Sequence, residues 1–130
     1  MTRSRSKKGK SQNLRVHVAE EAPNCPRRAA VGDVLTVHYF GFVRELKEKF
    51  DSSYERKKPL TFRLGKGQVI KAWDRGLVGM CVGEIRVLEV PPELGYGSNG
   101  LGNTVPPMAN LVFQVELLDL KRSDQKKNEF

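Results

Sequence analysis

A period of two runs through most of this chain and limits what it can fold into. Leu14-Arg15-Val16-His17-Val18 alternates cleanly and suits a half-buried strand. Val34 to Phe42 is rich in β-branched and aromatic residues, and Leu60, Phe62 and Leu64 alternate with Thr61 and Arg63. Further strands are expected at Glu84–Val90 and Leu111–Leu120, where Leu111, Phe113, Val115 and Leu117 share a face. One stretch breaks the rule: Val69, Ile70, Trp73 and Leu77 fall at helical spacing, with Gly79 placed as a C-terminal cap. A helix of about two turns needs tertiary packing to persist. The expected class is therefore α+β, an antiparallel sheet packed on one short helix.

Between these elements, Asn24-Cys25-Pro26 marks a turn and Gly32-Asp33 opens a strand. Residues 51–59 read as a polar bulge or loop. Gly41, inside a strand, signals a bulge or a close backbone approach. The Gly/Pro-rich segment 91–110 is too long to be filler in a small domain.

Composition narrows the function. The chain has 130 residues and a formal charge of +8, a figure that suggests a nucleic-acid binder. Its distribution argues against that. Arg3, Arg5, Lys7, Lys8 and Lys10 stand in residues 1–13 without one acid, and residues 121–130 add +2, so the body is left at +1. Residues 1–13 and 122–130 are expected to be flexible tails around a domain at 14–121. Leu94 to Val115 carries no charge and is long enough to span a bilayer, but its glycines and Pro106-Pro107 make it loop followed by strand, so no membrane segment is expected. The basic start has no apolar run behind it and offers no secretory signal. Two histidines, His17 and His38, and two cysteines cannot build a usual structural zinc site; no metal and no cofactor are expected.

Catalytic motifs are scarce. Gly95-Tyr96-Gly97-Ser98-Asn99-Gly100 spells G-x-G-x-x-G, but Val105-Pro106-Pro107 follows where a phosphate-binding helix would have to open. No nucleophile elbow occurs, and neither histidine shows the setting of a triad. Aromatic residues stand out instead. Phe40, Phe42 and Phe62 are expected to fill the core. Trp73 on a helix, Tyr39 on a strand and Tyr96 in a glycine loop each need a polar partner when buried, and they suit a ligand cleft.

At this level the chain resembles the FKBP-type peptidyl-prolyl isomerases. Val37-His38-Tyr39-Phe40-Gly41, Lys49-Phe50-Asp51-Ser52-Ser53, Gly67-Gln68-Val69-Ile70 with Trp73, Gly95-Tyr96-Gly97, Pro106-Pro107 and Leu111 to Leu118 carry the likeness in order, over residues 14–121. The resemblance implies a five- or six-stranded antiparallel sheet wrapped around a short helix, with an apolar pocket between them. There an X-Pro bond is isomerised and the macrolides tacrolimus and rapamycin bind. Transferred residue by residue, Trp73 is the pocket floor, and Tyr39, Phe50, Val69, Ile70 and Phe113 form its walls. Tyr96 stands on the rim as a hydroxyl donor, and the Ile70 N–H holds a ligand carbonyl. Asp51 sits inside near Tyr39 and Arg56, and Leu60, Gln68 and Val105 complete the ligand set. Leu60 stands where many members carry an aromatic residue, and Leu101 and Thr104 where small members often have His and Ile. Partners implied are proline-containing peptides, unfolded chains and the two macrolides, met by a monomer. Nucleic acid is not expected.

Cys25 and Cys81, with their flanking residues, look most like the secretory-pathway branch of the family, where the corresponding cysteines are bridged. A bridge would close a loop of about 57 residues and add roughly 4 kcal/mol in the chain-entropy model. The alternative is two reduced thiols in a cytosolic or nuclear protein. Lys127-Asn128-Glu129-Phe130 resembles an endoplasmic-reticulum retrieval tail with Phe in place of Leu. The same pocket also fits a second reading, an interaction module in which catalysis is incidental.

Overall fold

The computed structural model describes residues 13–122; the two expected tails lie almost wholly outside the described residues. The chain forms six strands: β1 (Arg15–Glu20), β2 (Val34–Val43), β3 (Glu48–Ser52), β4 (Leu60–Arg63), β5 (Ile85–Val90) and β6 (Leu111–Lys121). All pairings are antiparallel, in the order β1-β5-β6-β2-β3, with β4 also on β2. Two short helices interrupt them, α1 (Ser53–Arg56) and α2 (Lys71–Gly76).

The second helix corrects the expectation of one. Ser52 caps α1 by accepting the Glu55 N–H at 3.2 Å, so the segment read as bulge or loop is a strand end followed by a capped turn. Ser52-x-x-Glu55 is a capping-box spacing, the signal that would have found it. β3 was also hidden, because Phe50 is the only apolar residue in Glu48–Ser52. Its strand state comes from pairing with β2 rather than from its own pattern.

One face of the sheet holds the core. Along β2 the odd positions Leu35, Val37, Tyr39 and Val43 are buried, and β6 contributes Leu111, Phe113, Val115 and Leu117. The same alternation sends Phe40 and Phe42 to the outer face, where they are half-buried. Only Phe62 of the three expected core phenylalanines is in the core. β1 is likewise not half-buried: Val16 and Val18 are 40% and 49% exposed. As an edge strand it pairs only with β5, and Leu14 alone packs on the core from that end.

Helix α2 starts later than its periodicity suggests. Ile70 is its extended N-cap, and Leu77 rather than Gly79 caps its end. Gly79 instead takes φ +88° and donates its N–H to the Ala29 carbonyl at 2.7 Å. The helix lays Ala72, Trp73 and Gly76 on the core. Its exit is clamped by a buried ion pair in which Arg86 donates to Glu84 at 2.7 Å and to the carbonyls of Gly76 and Val78 at 2.9 Å. Glu84 also accepts the Cys81 N–H at 2.8 Å, beside a disulfide between Cys81 and Cys25 with Cα atoms 5.5 Å apart.

Candidate functional site

Where α2 meets the cupped face of the sheet, a cavity of about 170 Å³ opens between them. Trp73 forms its floor, a position it owes to the first turn of α2. Tyr39 meets the indole edge-on with ring centroids 4.9 Å apart, and Phe113 does so at 5.5 Å. Phe50 stands edge-on to Phe113 at 5.6 Å and to Tyr96 at 6.3 Å, linking the floor to the rim. Near-perpendicular rings of this kind place positive edges against negative faces and fix one another's rotation. The box is therefore rigid.

Its fit depends on Gly41. A Cβ there would lie 2.6 Å from the Phe113 ring, so the residue marks a close approach. The β2–β3 register also shifts between Gly41 and Phe42, so both readings of this glycine describe the same place. The shift sets Asp51 opposite Gly41 and turns its carboxylate toward the cavity.

Asp51 is the only acid lining that cavity, and both of its oxygens are occupied. The Tyr39 hydroxyl donates to Oδ2 at 2.6 Å, and Arg56 of α1 donates to Oδ1. Arg56 also donates to the Tyr39 hydroxyl oxygen at 3.0 Å, closing a three-membered network. Burial and the Asp51 hydrogen bond push the Tyr39 phenol up, with Arg56 pulling the other way. Burial and the nearby Asp51 charge likewise raise Tyr96, whose hydroxyl meets no side-chain hydrogen-bond partner among the described residues. Both phenols stay protonated, able to donate.

The opposite wall is the loop into α2. Gly65 and Gly67 donate their N–H groups to the Asp74 carboxylate at 2.8 and 2.9 Å, and the Gln68 side chain accepts the Arg63 N–H at 2.8 Å. This holds Val69 and Ile70 against the cavity. The Ile70 carbonyl is taken by Trp73 and Asp74, while its own N–H meets no acceptor among the described residues. The Trp73 Nε1–H is also buried without a partner there.

Of the candidate residues, Tyr39, Asp51, Leu60, Gln68, Val69, Ile70, Trp73, Tyr96 and Phe113 line the cavity. Phe50 and Arg56 stand just behind it through the contacts given above. Val105 does not join them: it is 2% exposed, in the core, and paired with Leu101 across the 91–110 loop. That loop contains a short 3-10 turn at Pro92–Leu94 and no α-helix after its glycines, so the glycine motif builds a tight turn and no phosphate site. Asp74 was missed as the organiser of the wall; its place on the first turn of α2, seven residues after Gly67, was the available signal.

The sequence model of the family described as FKBP-type peptidyl-prolyl cis-trans isomerase matches residues 25–118. FK506-binding protein 2 of Kluyveromyces lactis is 50% identical over 113 residues, covering 87% of this chain and 81% of that protein. Human peptidyl-prolyl cis-trans isomerase FKBP2 is 48% identical over 111 residues, covering 85% and 78%. A crystal structure of AtFKBP13 superposes with a TM-score of 0.73 at 38% identity, over 82% of this chain and 91% of that one.

Proposed function

The chain belongs to the FKBP-type peptidyl-prolyl cis-trans isomerases, and from that premise we propose that the aromatic cavity between sheet and α2 is where X-Pro bonds rotate and where tacrolimus and rapamycin bind. The observation that carries this reading is the box of Tyr39, Trp73 and Phe113 around a cavity whose one carboxylate is already spent on Tyr39 and Arg56.

An X-Pro amide is held planar by resonance, with a rotation barrier of about 18–20 kcal/mol. Planarity carries charge separation onto oxygen and nitrogen, and twisting the bond removes it. Leaving water therefore costs the planar amide more than the twisted one, and a dry aromatic box lowers the barrier with no nucleophile. The proline ring packs on the Trp73 indole. The free Ile70 N–H and the protonated Tyr96 hydroxyl take substrate carbonyls and fix which bond turns. Asp51 organises the wall: with one oxygen on Tyr39 and the other on Arg56, it holds the Tyr39 ring rather than attacking the amide. The substrates are proline-containing peptides and unfolded chains, and the name FK506-binding protein 2 borne by relatives supports the macrolide reading.

The disulfide supports a lumenal, oxidising compartment. A protease-coupled assay on a short X-Pro peptide tests the site. Rate above the thermal background that is abolished by tacrolimus supports it; tacrolimus binding with no such rate would leave a binding module only. Electrophoresis after thiol blocking tests the compartment, and two free thiols in protein taken from its own cells would reverse that assignment.

A further inference from the structure

Beside β2, where β3 passes into α1, a single hydroxyl meets both backbone polar groups of Tyr39, a wall of the aromatic box. Ser53, the first residue of α1, is fully buried, and its Oγ accepts the Tyr39 N–H at 2.7 Å. The same Oγ lies 3.2 Å from the Tyr39 carbonyl, as donor, and 2.8 Å from Nδ1 of His38. We propose that Ser53 and His38 are positioning residues for the isomerase site, that neutral His38 carries its proton on Nε2, and that protonation of His38 then sets how tightly Ser53 holds Tyr39. This rests on the cavity being the site of isomerisation.

The argument is an inventory of one proton. A serine hydroxyl has one hydrogen and two acceptor lone pairs. Tyr39 N–H occupies one lone pair, which leaves one lone pair and one hydrogen for the imidazole and the Tyr39 carbonyl. When His38 is charged, Nδ1–H can only donate, so it fills the second lone pair and the hydroxyl hydrogen must point at the Tyr39 carbonyl. Ser53 then grips both backbone polar groups of Tyr39. When His38 is neutral with its proton on Nε2, Nδ1 becomes an acceptor at a shorter distance than the carbonyl and draws the hydroxyl hydrogen away. No water can compensate, because Ser53 is fully buried. Tyr39 carries the consequence into the cavity, since its ring meets Trp73 and its hydroxyl holds Asp51.

The surroundings of the imidazole are specific. Tyr54 of α1 stacks on it with centroids 4.4 Å apart and an interplanar angle of 18°. Glu116 lies opposite it on β6 and accepts the Tyr54 hydroxyl at 3.1 Å. Lys57 and Lys58 follow α1, and the Lys58 N–H donates to the Ser53 carbonyl at 3.1 Å. No other histidine is near; His17 sits on β1, paired with Glu89.

The test uses amide NMR and isomerase kinetics on the full chain from about pH 5 to 8, the range in which histidine titrates. The Tyr39 amide resonance should shift with the same midpoint as the His38 ring. The kcat/KM on an X-Pro peptide should fall about threefold as His38 loses its proton, the effect of loosening one hydrogen bond. His38→Asn keeps a hydrogen-bonding side chain that does not titrate, so its profile should show no step across this range. His38→Phe retains the stacking but removes the competing acceptor, so the Ser53 hydroxyl hydrogen stays on the Tyr39 carbonyl and activity should be flat at the high level. His17→Gln should keep the wild-type step. A Tyr39 amide that stays fixed while the His38 ring titrates, or a His38→Asn variant with the wild-type profile, overturns the proposal. Absence of isomerase activity at every pH would overturn the site assignment instead, and the amide titration would still decide the Ser53 switch.

Discussion

Replacing Gly41 by alanine tests the aromatic box through its tightest point. The added Cβ would lie 2.6 and 2.7 Å from two carbons of the Phe113 ring and 3.1 Å from Phe50. Carbon atoms rest at about 3.5–4.0 Å, so the Phe113 ring must retreat by about 1 Å. It has nowhere to go: Trp73 stands edge-on at 5.5 Å and Phe50 at 5.6 Å, and the residue is 2% exposed. Overpacking of this kind costs about 1–3 kcal/mol. A displacement of about 1 Å at a wall that positions substrate costs on the order of a hundredfold in rate. Urea unfolding under non-reducing conditions and protease-coupled kcat/KM should show both losses. The double variant Gly41→Ala/Phe113→Leu frees the space, and its stability should exceed the sum of the single effects by more than the about 0.5 kcal/mol expected between independent sites. Additive losses, or a Gly41→Ala protein of wild-type activity, would refute the claim that the Phe113 ring needs this glycine.

Trp73→Ala should abolish measurable tacrolimus binding and destabilise the fold by about 3–5 kcal/mol, read by calorimetry and urea titration; undiminished affinity would move the site elsewhere. Tyr96→Phe removes a rim donor that bonds no other group among the described residues, so kcat/KM should fall about two- to fivefold with stability unchanged; a change in unfolding midpoint instead would show a structural hydroxyl. Tyr39, Tyr54 and Tyr96 all have raised pKa values, Tyr54 up to about 12 through burial and its bond to Glu116. Raised phenols favour the folded state fully below their unfolded value near 10 and lose that contribution as pH climbs through the folded values. The urea midpoint should therefore hold to about pH 10 and decline toward 12, less steeply in Tyr54→Phe; identical slopes in the two proteins would contradict the cause given. Reducing the Cys25–Cys81 bridge should cost roughly 4 kcal/mol while leaving ligand affinity nearly intact, because the bridge lies beyond the α2 exit and touches no cavity residue.

What could be read from the residues and what could not divide along a physical line. Strands whose side chains alternate because one face is buried announce themselves, so β2, β5 and β6 were legible, as was the Trp73 face of α2. β3 carries one apolar side chain and is a strand only because β2 pairs with it; nothing local encodes that. The outward turn of Phe40 and Phe42 was present in the alternation with Tyr39 and Val43 but was masked by the habit of placing phenylalanine inside. Val105 shows the converse limit. A family's ligand set transfers contacts, and contacts depend on how a loop closes: here Val105 pairs with Leu101 and turns into the core.

The charge follows the same logic. The cavity is walled mainly by aromatic and aliphatic side chains, and the Asp51 carboxylate in its lining is paired with Arg56 and hydrogen-bonded by Tyr39. A protein that isomerised amides by charge stabilisation would concentrate its excess cations there. Instead the body between residues 14 and 120 is nearly neutral, and the surplus belongs, in sequence, to the two ends of the chain. Rotation about an amide bond forms no ion, so the proposed site has no use for one; on that reading its specificity comes from ring geometry and from two donors without a partner among the described residues, the Ile70 N–H and the Tyr96 hydroxyl. Raising the ionic strength should accordingly leave kcat/KM on a neutral X-Pro peptide unchanged, and a steep salt dependence would show that charge beyond the cavity takes part.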